Sequence, residues 1–382
     1  MADIVYRLDP EIFIGHDSVC RIGSLCSAYG GKALILTEQN LYDTNAIGRL
    51  TAVLEDAGVS SIIYDELSAQ STAEIAERTA TLARGSRCNV IIGFGSQRTQ
   101  SVARLTAITA KSKFDVFDLL DGKKSEDPTL PYIAIPAIDP DPFMFTNYSI
   151  AHDPRDRSVK LIKCPNGLSK AVIIDGGLYS GSLSGKFAST AAFDGFCTAI
   201  EAYCSIKASF FSDGLLEQSL AFYSKMIKSQ SDKFSPDYLE YFINATFLSA
   251  IGSSISSPGV GTALAYSLNS KFPVAKSWCS TIILPYVLEK LAMAKPDKMA
   301  KIAALMGEPV EGSTVSEAAM MVADTIRRHM GILKVPARLK DFNISLDRLS
   351  PIAEAARDLE FVSYSPWTIA SDNAFDILKQ AY

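Results

Sequence analysis

Short apolar runs rich in β-branched residues alternate with amphipathic stretches between Ala33 and Asp175. This alternation predicts a parallel α/β sheet, because each buried strand must be followed by a crossover helix that covers the sheet. The predicted strands are Ala33–Thr37, Ser60–Tyr64, Val90–Phe94, Tyr132–Pro136 and Ala171–Asp175. The predicted helices between them are Leu41–Asp56, Thr72–Arg84 and Thr99–Ser112, the second of which is preceded by Ser71 in a capping-box pattern with Glu74.

Helix-forming residues predominate from about Thr190 to Tyr382, interrupted by Pro258, Pro273 and Pro285. A chain of 382 residues exceeds the usual size of one hydrophobic core, so two domains are expected. We predict an α/β dinucleotide-binding-type domain over residues 1–182 and an all-helical domain over residues 183–382. The boundary is placed in the Gly- and Ser-rich stretch near Ser180–Gly185.

Composition and charge limit the classes of partner. Hydrophobic residues make up 48% of the chain, which is enough apolar material for two cores. The net charge of −5 offers no broad basic surface, so we expect a small-molecule partner and neither nucleic acid nor a membrane surface. The seven cysteines never form a CxxC pair, which fits reduced thiols, and the sequence shows no signal peptide and no apolar run of ~18 residues. We therefore expect a cytoplasmic protein.

Seven local runs occur in the same order as in one known enzyme family. They are Ile12–Gly23, Lys32–Glu38 (KALILTE), Leu130–Pro136 (LPYIAIP), Val172–Leu178 (VIIDGGL), Asp194–Tyr203 (DGFCTAIEAY), Ile282–Glu289 (IILPYVLE) and Ser365–Tyr382. They are distributed over nearly the whole chain and resemble the iron-containing alcohol dehydrogenases of the dehydroquinate synthase-like superfamily. The resemblance implies an N-terminal parallel-sheet domain of nucleotide-binding type followed by a helical domain, with alcohol dehydrogenase ancestry.

The resemblance also implies a divalent metal, held by one aspartate and three histidines of the helical domain, that acts as a Lewis acid on the substrate oxygen. Asp194 matches the aspartate, but Thr198 stands four residues on, where a histidine would lie on the same helix face. The family's HALAH segment aligns best with Thr262–Tyr266, TALAY, when a two-residue gap is allowed. An ungapped count back from Pro285 places Lys276 at the third histidine.

Histidines are too few to rebuild such a site, because the whole chain contains only His16, His152 and His329. We therefore predict that no metal cofactor is bound. Two readings of Asp194 stay open: a structural ion pair or helix cap, and a retained ligand. A buried carboxylate without a dication needs another positive partner, so we predict an ion pair between Asp194 and Lys276 within about 4 Å. A solvated Lys276 is the alternative.

For the cofactor, the resemblance implies a GGGS turn after the strand at Val90–Phe94, where glycine lets backbone N–H groups approach a dinucleotide diphosphate closely. One register places Ser101 at the aspartate that follows, with the turn formed by Gly95, Ser96, Gln97 and Arg98. A shifted register places Gly93–Ser96 at the turn. Neither restores the full cradle, so NAD(P) binding is expected to be weak. Gln97 and Arg98 either fill the phosphate space, or Arg98 binds a different anion.

The second cofactor loop of the family corresponds to Pro136–Phe145, PAIDPDPFMF. Pro140 and Pro142 have no N–H to donate, and two phenylalanines are bulky where the family is small, so this loop is expected to occupy cleft volume. Glu38 stands where an acidic residue meets the adenosine ribose, and Lys160 resembles a lysine near the cofactor. For both, a solvated surface charge is the competing interpretation.

Three hypotheses follow. The first is a non-metal, catalytically reduced or repurposed homologue of an alcohol dehydrogenase, in its plainest form a homodimer that binds a small molecule in the cleft between the domains. The second is a metal-independent NAD(P)-dependent alcohol or aldehyde oxidoreductase, in which Lys276 and Tyr266 replace the metal and the base. The third, a cyclase or synthase like dehydroquinate synthase, needs the same metal and NAD sites and suffers from the same losses.

Overall fold

The computed structural model describes residues 6–39, 41, 45–67, 72–136, 141–165, 168–178, 185–229 and 235–382. The chain divides into two compact units. The N-terminal unit comprises residues 1–139 and 143–183, and the C-terminal unit comprises residues 140–142 and 184–382. The predicted boundary between residues 182 and 183 and the predicted cap at Ser71 lie outside the described residues.

Six parallel strands form the sheet of the N-terminal unit, in the order β1-β8-β5-β4-β2-β3. The strands in chain order are β1 (Glu11–Ile14), β2 (Lys32–Leu36), β3 (Ser60–Tyr64), β4 (Val90–Gly95), β5 (Tyr132–Pro136), β6 (Tyr148–Asp153), β7 (Ser158–Lys163) and β8 (Ala171–Ile174). The five strands predicted from apolar runs are all present. Every residue of β4 and β5 is buried, as expected for central strands that are covered on both faces.

Fourteen α-helices are assigned within the described residues. They are α1 (Ile22–Ser27), α2 (Ala46–Asp56), α3 (Thr72–Gly85), α4 (Gln97–Thr109), α5 (Val116–Leu120), α6 (Gly185–Cys204), α7 (Phe210–Ser229), α8 (Pro236–Ile255), α9 (Val260–Lys271), α10 (Lys276–Ala294), α11 (Pro296–Leu305), α12 (Val315–Ile332), α13 (Ser350–Arg357) and α14 (Ser371–Gln380). Short 3-10 segments lie at Ser18–Arg21, Gly176–Leu178, Leu339–Phe342, Leu346–Arg348 and Glu360–Tyr364. Within these described segments, no helix is both long and apolar enough to cross a bilayer.

Two helix starts differ from the sequence prediction. The predicted helix at Leu41 begins at Ala46 instead, because Asn45 adopts a left-handed conformation with φ of 56° that cannot continue a right-handed helix. The helix predicted from Thr99 begins two residues earlier, at Gln97, with Ser96 as an extended N-cap. Since β4 extends to Gly95 and α4 begins at Gln97, only Ser96 lies between them, and the choice between the two turn registers stays a prediction.

The strands β6 and β7 form an antiparallel hairpin that the sequence prediction missed. Asp153, Arg155 and Lys160 interrupt the alternation of apolar and polar residues that would have predicted the two strands. Ion pairs among these three side chains stabilise the hairpin. Asp153 is 1% exposed and accepts hydrogen bonds from the side chain of Arg155 at 2.8 to 3.2 Å and from Nζ of Lys160 at 3.0 Å. Arg155 also donates to Asp121 after α5, at 2.7 and 3.1 Å. A buried carboxylate thus joins the hairpin to the end of α5.

The C-terminal unit is helical, as the sequence predicts. Its central helix is α9, in which all residues from Val260 to Ser270 are buried. A helix that is buried on every side must present small or apolar residues all round, and VGTALAYSLNS does so. Helices α6, α10 and α13 contact α9. Polar side chains that project from α9 are therefore enclosed by protein.

The ion pairs of Asp153 predict a pH-dependent contribution to stability. Hydrogen bonds from Arg155 hold the pKa of Asp153 well below its usual range. The stabilisation is therefore complete above the ordinary aspartate pKa of about 4 and is lost as the pH falls towards the folded-state value. Asp153→Asn should lower the free energy of unfolding by about 1–3 kcal/mol at neutral pH and by less at about pH 3, measured by urea denaturation.

Asp118→Asn, which breaks an exposed pair with Lys123, is the control and should lower the free energy of unfolding by at most about 0.5 kcal/mol. Equal losses in both variants would contradict the assignment.

Candidate functional site

Three polar residues of α6 share one buried face of the C-terminal unit. Asp194, Thr198 and Glu201 are spaced by four and three residues, which places them in line on one side of a helix. All three are at most 3% exposed. The other residues of α6 are mostly alanine and aromatic residues. Such a row of buried polar groups needs partners from other helices.

Asp194 is paired with Lys276. Nζ of Lys276 lies 2.8 Å from Oδ1 and 3.0 Å from Oδ2 of Asp194. The side chains are 13% and 5% exposed, so the pair is largely removed from water. Lys276 is the first residue of α10, and the backbone therefore fixes where its side chain starts. The ion pair predicted from the sequence is confirmed, and the solvated alternative for Lys276 is wrong.

Tyr266 lies beside this ion pair. Nζ of Lys276 is 4.8 Å from the centroid of the Tyr266 ring, within the range of a cation–π contact. Tyr266 is 1% exposed on α9, one turn after Thr262. The structure thus brings together the two residues that the sequence named as candidates for catalysis. It gives the ammonium a carboxylate and an aromatic ring as neighbours.

The two threonines at the positions of lost histidines also meet. Oγ1 of Thr198 and Oγ1 of Thr262 are 3.5 Å apart, and both residues are at most 1% exposed. The hydroxyl of Thr262 donates to Oε2 of Glu201 at 2.7 Å. Helices α6 and α9 are therefore joined by hydroxyl and carboxylate groups at the point where the resemblance places metal ligands.

Glu201 is a buried residue of this cluster that the sequence reasoning missed. Its carboxylate accepts the backbone N–H groups of Gly259, Gly261 and Thr262 at 3.2, 2.5 and 2.9 Å. These are the free donors at the start of α9, where the helix dipole favours an anion. Burial raises the pKa of Glu201, although the hydrogen bonds oppose that shift. Two sequence features could have indicated this role of Glu201: it is a glutamate in the otherwise apolar run AIEAY, and Pro258-Gly259 precedes a predicted helical stretch.

The glycines at the start of α9 are required by this carboxylate. A Cβ placed on Gly259 would lie 2.8 Å from Oε1 of Glu201, and one on Gly261 would lie 3.0 Å from it. Both distances are shorter than side chains ordinarily allow. The Pro258-Gly259 break thus serves close approach to Glu201 as well as helix initiation.

The donor set around Asp194 does not fit a divalent metal. Its one carboxylate is already neutralised by Lys276, and a protonated lysine cannot ligate. Burial is the main cause that raises the pKa of the Cys197 and Cys279 thiols well beyond the usual range, and the negative charge of Asp194 raises it further. Neutral thiols are poor ligands. Among the described residues, no group of three or more His, Cys, Asp or Glu side chains is arranged to hold a metal ion.

In the N-terminal unit, the predicted phosphate turn lies between β4 and α4. Gly95 has φ of +151°, a conformation that favours glycine, and Ser96 is the N-cap of α4. Glu38 follows β2 and reaches this turn. Its Oε1 accepts the backbone N–H of Ser96 at 3.1 Å and the hydroxyl of Thr99 at 2.6 Å, and it is also bonded to the hydroxyl of Ser96. The three predicted cofactor residues Glu38, Gly95 and Ser96 therefore lie together.

Ser101 and Lys160 make other contacts. Ser101 is inside α4, where its hydroxyl accepts from Gln97 at 3.1 Å and its carbonyl accepts from Ser149 of β6. Lys160 is bonded to Asp153 in the hairpin. Both make intrachain contacts, and their assignment to a cofactor stays a prediction.

Gln100 and Arg104 are buried residues of α4 whose side chains donate hydrogen bonds to backbone carbonyl groups near the turn. Nε2 of Gln100 donates to the carbonyls of Gly93, Gly95 and Ile135 at 3.0 to 3.1 Å. Arg104 is 2% exposed and donates to the carbonyls of residues 143, 144 and 148. Phe143 and Phe145 are buried, whereas Pro140 lies outside the described residues, and the occupation of cleft volume by this loop stays a prediction.

Comparison with known proteins gives the family. Residues 9–176 match the iron-containing alcohol dehydrogenase model, and residues 188–382 match the model of the C-terminal part of that family. Long-chain-alcohol dehydrogenase 1 of Geobacillus thermodenitrificans is 23% identical over 354 residues, which cover 91% of this chain and 89% of that protein. Lactaldehyde reductase of Escherichia coli K12 is 24% identical over 335 residues, 86% of each chain.

Solved structures agree on the fold. A 1,3-propanediol oxidoreductase crystal structure superposes with a TM-score of 0.92 at 21% identity, and the match covers 100% of both chains. An alcohol dehydrogenase from Oenococcus oeni superposes with a TM-score of 0.91 at 18% identity, over 99% of this chain and 100% of that one. Since the two sequence models together span both structural units, the chain belongs to the iron-containing alcohol dehydrogenase family.

Proposed function

We propose that this chain is a metal-free member of the iron-containing alcohol dehydrogenase family that binds a small molecule and does not carry out metal-dependent alcohol oxidation. The observation that carries the proposal is the position of Nζ of Lys276, 2.8 and 3.0 Å from the two oxygens of Asp194. Asp194 is the one residue that matches a metal ligand of the family. An ammonium at hydrogen-bond distance from both of its oxygens supplies the positive charge that a dication would otherwise supply.

Electrostatics support the replacement of a metal by Lys276. Asp194 is 5% exposed at its side chain, and an unpaired carboxylate so deeply buried would be strongly destabilising. The ammonium removes that cost with a single positive charge. A dication at the same place would have to displace the ammonium and meet two threonine hydroxyls in place of imidazoles. The site is therefore built for a monovalent cationic side chain.

A second candidate function is supported by the contact between Lys276 and Tyr266. An ammonium 4.8 Å from a tyrosine ring can stabilise negative charge on a carbonyl oxygen, which is the role that an alcohol or aldehyde oxidoreductase without metal would require. The printed names of the relatives, a lactaldehyde reductase among them, suggest aldehydes as the substrates to try. This candidate is weaker, because Asp194 already neutralises Lys276.

Aldehyde reduction in the presence of a chelator separates the two candidates. Under the first proposal, oxidation of NADH or NADPH by a panel of short-chain aldehydes with excess EDTA should stay at the level of the buffer blank for the parent and for Lys276→Met. The second candidate instead requires chelator-resistant turnover in the parent that falls at least about 100-fold in Lys276→Met, the size of effect typical for loss of one charge-stabilising group.

The buried ion pair predicts a distinctive pattern of stability. Lys276→Met should lower the free energy of unfolding by about 3–5 kcal/mol, because it leaves the Asp194 carboxylate buried without a counter-charge. Asp194→Leu combined with Lys276→Met should recover most of that loss. Urea denaturation followed by circular dichroism measures both.

The matched control for this test is Lys301→Met, which removes a lysine from an exposed pair with Glu217. It should change the free energy of unfolding by no more than about 1 kcal/mol. A Lys276→Met variant as stable as the Lys301→Met variant, or a double variant less stable than Lys276→Met, would show that the Asp194–Lys276 pair does not stabilise the protein as a buried ion pair.

Metal content tests the proposal directly. Protein purified from cells supplied with iron and zinc should contain far less than one metal ion per chain, because one paired carboxylate and two hydroxyls do not form a site for these ions. Inductively coupled plasma mass spectrometry measures the content. Asp194→Asn is the control, since it removes the only matching ligand, and its metal content should equal that of the parent. About one ion per parent chain that survives dialysis against chelator and disappears in Asp194→Asn would overturn the proposal.

A further inference from the structure

One carboxylate oxygen collects three donors at the start of α4. Oε1 of Glu38 accepts the N–H of Ser96, the hydroxyl of Ser96 and the hydroxyl of Thr99. The helix that begins there is 13 residues long. The N–H groups of its first turn have no partner within the helix and lie at the positive end of the helix dipole. An anion is therefore already in place at this terminus, and it belongs to the chain itself.

The sheet register explains why Glu38 reaches the turn. Strands β2 and β4 are parallel neighbours in which Leu36 pairs with Gly93. Gly95 is the last residue of β4, and Glu38 lies two residues after the end of β2, so the register brings Glu38 level with Gly95.

The turn is also tightly enclosed. A Cβ placed on Gly95 would lie 2.7 Å from Oγ1 of Thr99 and 3.3 Å from Oε1 of Glu38. The carboxylate thus lies directly over the glycine backbone that a phosphate would have to approach. Gln100 holds this turn from beneath through the carbonyls of Gly93 and Gly95, and the hydroxyl of Tyr132 donates to Oε1 of Gln100 at 2.5 Å.

We infer that Glu38 acts as an internal anion that closes the phosphate turn of the N-terminal unit to dinucleotides. A diphosphate and this carboxylate would compete for the same N–H and hydroxyl donors, and two anions at one helix terminus repel each other. The NAD(P) diphosphate implied by the family therefore does not fit this turn as it stands. The inference rests on Glu38, Gly95, Ser96 and Thr99 and is independent of the proposal for Asp194 and Lys276.

Isothermal titration with NADH tests the inference on the full chain. The parent should bind with a dissociation constant above about 1 mM, whereas Glu38→Ala and Glu38→Asp should bind at least about tenfold more tightly, because each withdraws the carboxylate from the N-cap. Glu38→Asp keeps the charge and shortens only the reach, and it supplies the answer if the alanine variant does not fold.

Inorganic pyrophosphate gives a second measurement that does not depend on the rest of the cofactor. In millimolar pyrophosphate, the melting temperature of Glu38→Ala should rise by about 2–4 °C, while that of the parent stays unchanged. Glu317→Ala is the matched control. Its carboxylate also caps a helix, accepting from the N–H and hydroxyl of Thr314, but that helix follows α11 and not a strand that ends in glycine. It should lose stability and gain no response to pyrophosphate.

Two results would overturn the inference. The first is micromolar binding of NADH by the parent, which would show that Glu38 does not exclude the diphosphate. The second is a pair of folded Glu38 variants that bind NADH no more tightly than the parent and show no pyrophosphate-dependent rise in melting temperature.

Discussion

Buried negative charge must have a partner, and this constraint organises both units of the protein. Asp194 is paired with an ammonium and Glu201 with the N–H groups at the start of α9, and the half-buried Glu38 is bonded in the same way to the N–H and hydroxyl groups at the start of α4. Asp153 is held in the same way by Arg155 and Lys160. In each case the partner is supplied by the chain itself, because a carboxylate left without one would cost more free energy than most single contacts contribute.

These pairings also bear on chemistry. A family member that binds a dication and a diphosphate needs an unsatisfied carboxylate in the helical domain and unsatisfied N–H donors at the glycine turn. Here Asp194 is satisfied by Lys276, and the donors at the turn are satisfied by Glu38. The fold has been kept, as a TM-score of 0.92 to a propanediol oxidoreductase shows. Under the two proposals above, intrachain charges fill the positions where external ligands would bind, so the fold persists without the family's chemistry.

The sequence was most informative where a pattern had one physical solution. Short apolar β-branched runs that alternate with amphipathic stretches predict the strands of a covered parallel sheet, so β2, β4, β5 and β8, and β3 at the sheet edge, could be predicted from the sequence. The shortage of histidine followed from counting, and the pairing of Lys276 with Asp194 followed from the cost of an isolated buried charge. It was least informative for the hairpin of β6 and β7, whose charged residues hide a pattern that Asp121, far away in sequence, makes possible.

By itself, then, the sequence determined the division into an α/β half and a helical half, five strands of the parallel sheet, the family, and the residue types available at each candidate position. Only the tertiary structure decided which atoms meet. Glu201 became the cap of α9 because α6 and α9 pack together, and Glu38 reached Ser96 because the register of β2 and β4 places it beside Gly95. Periodicity along one element reports which face is buried, whereas the partner of a buried charge depends on a second element that is distant in sequence.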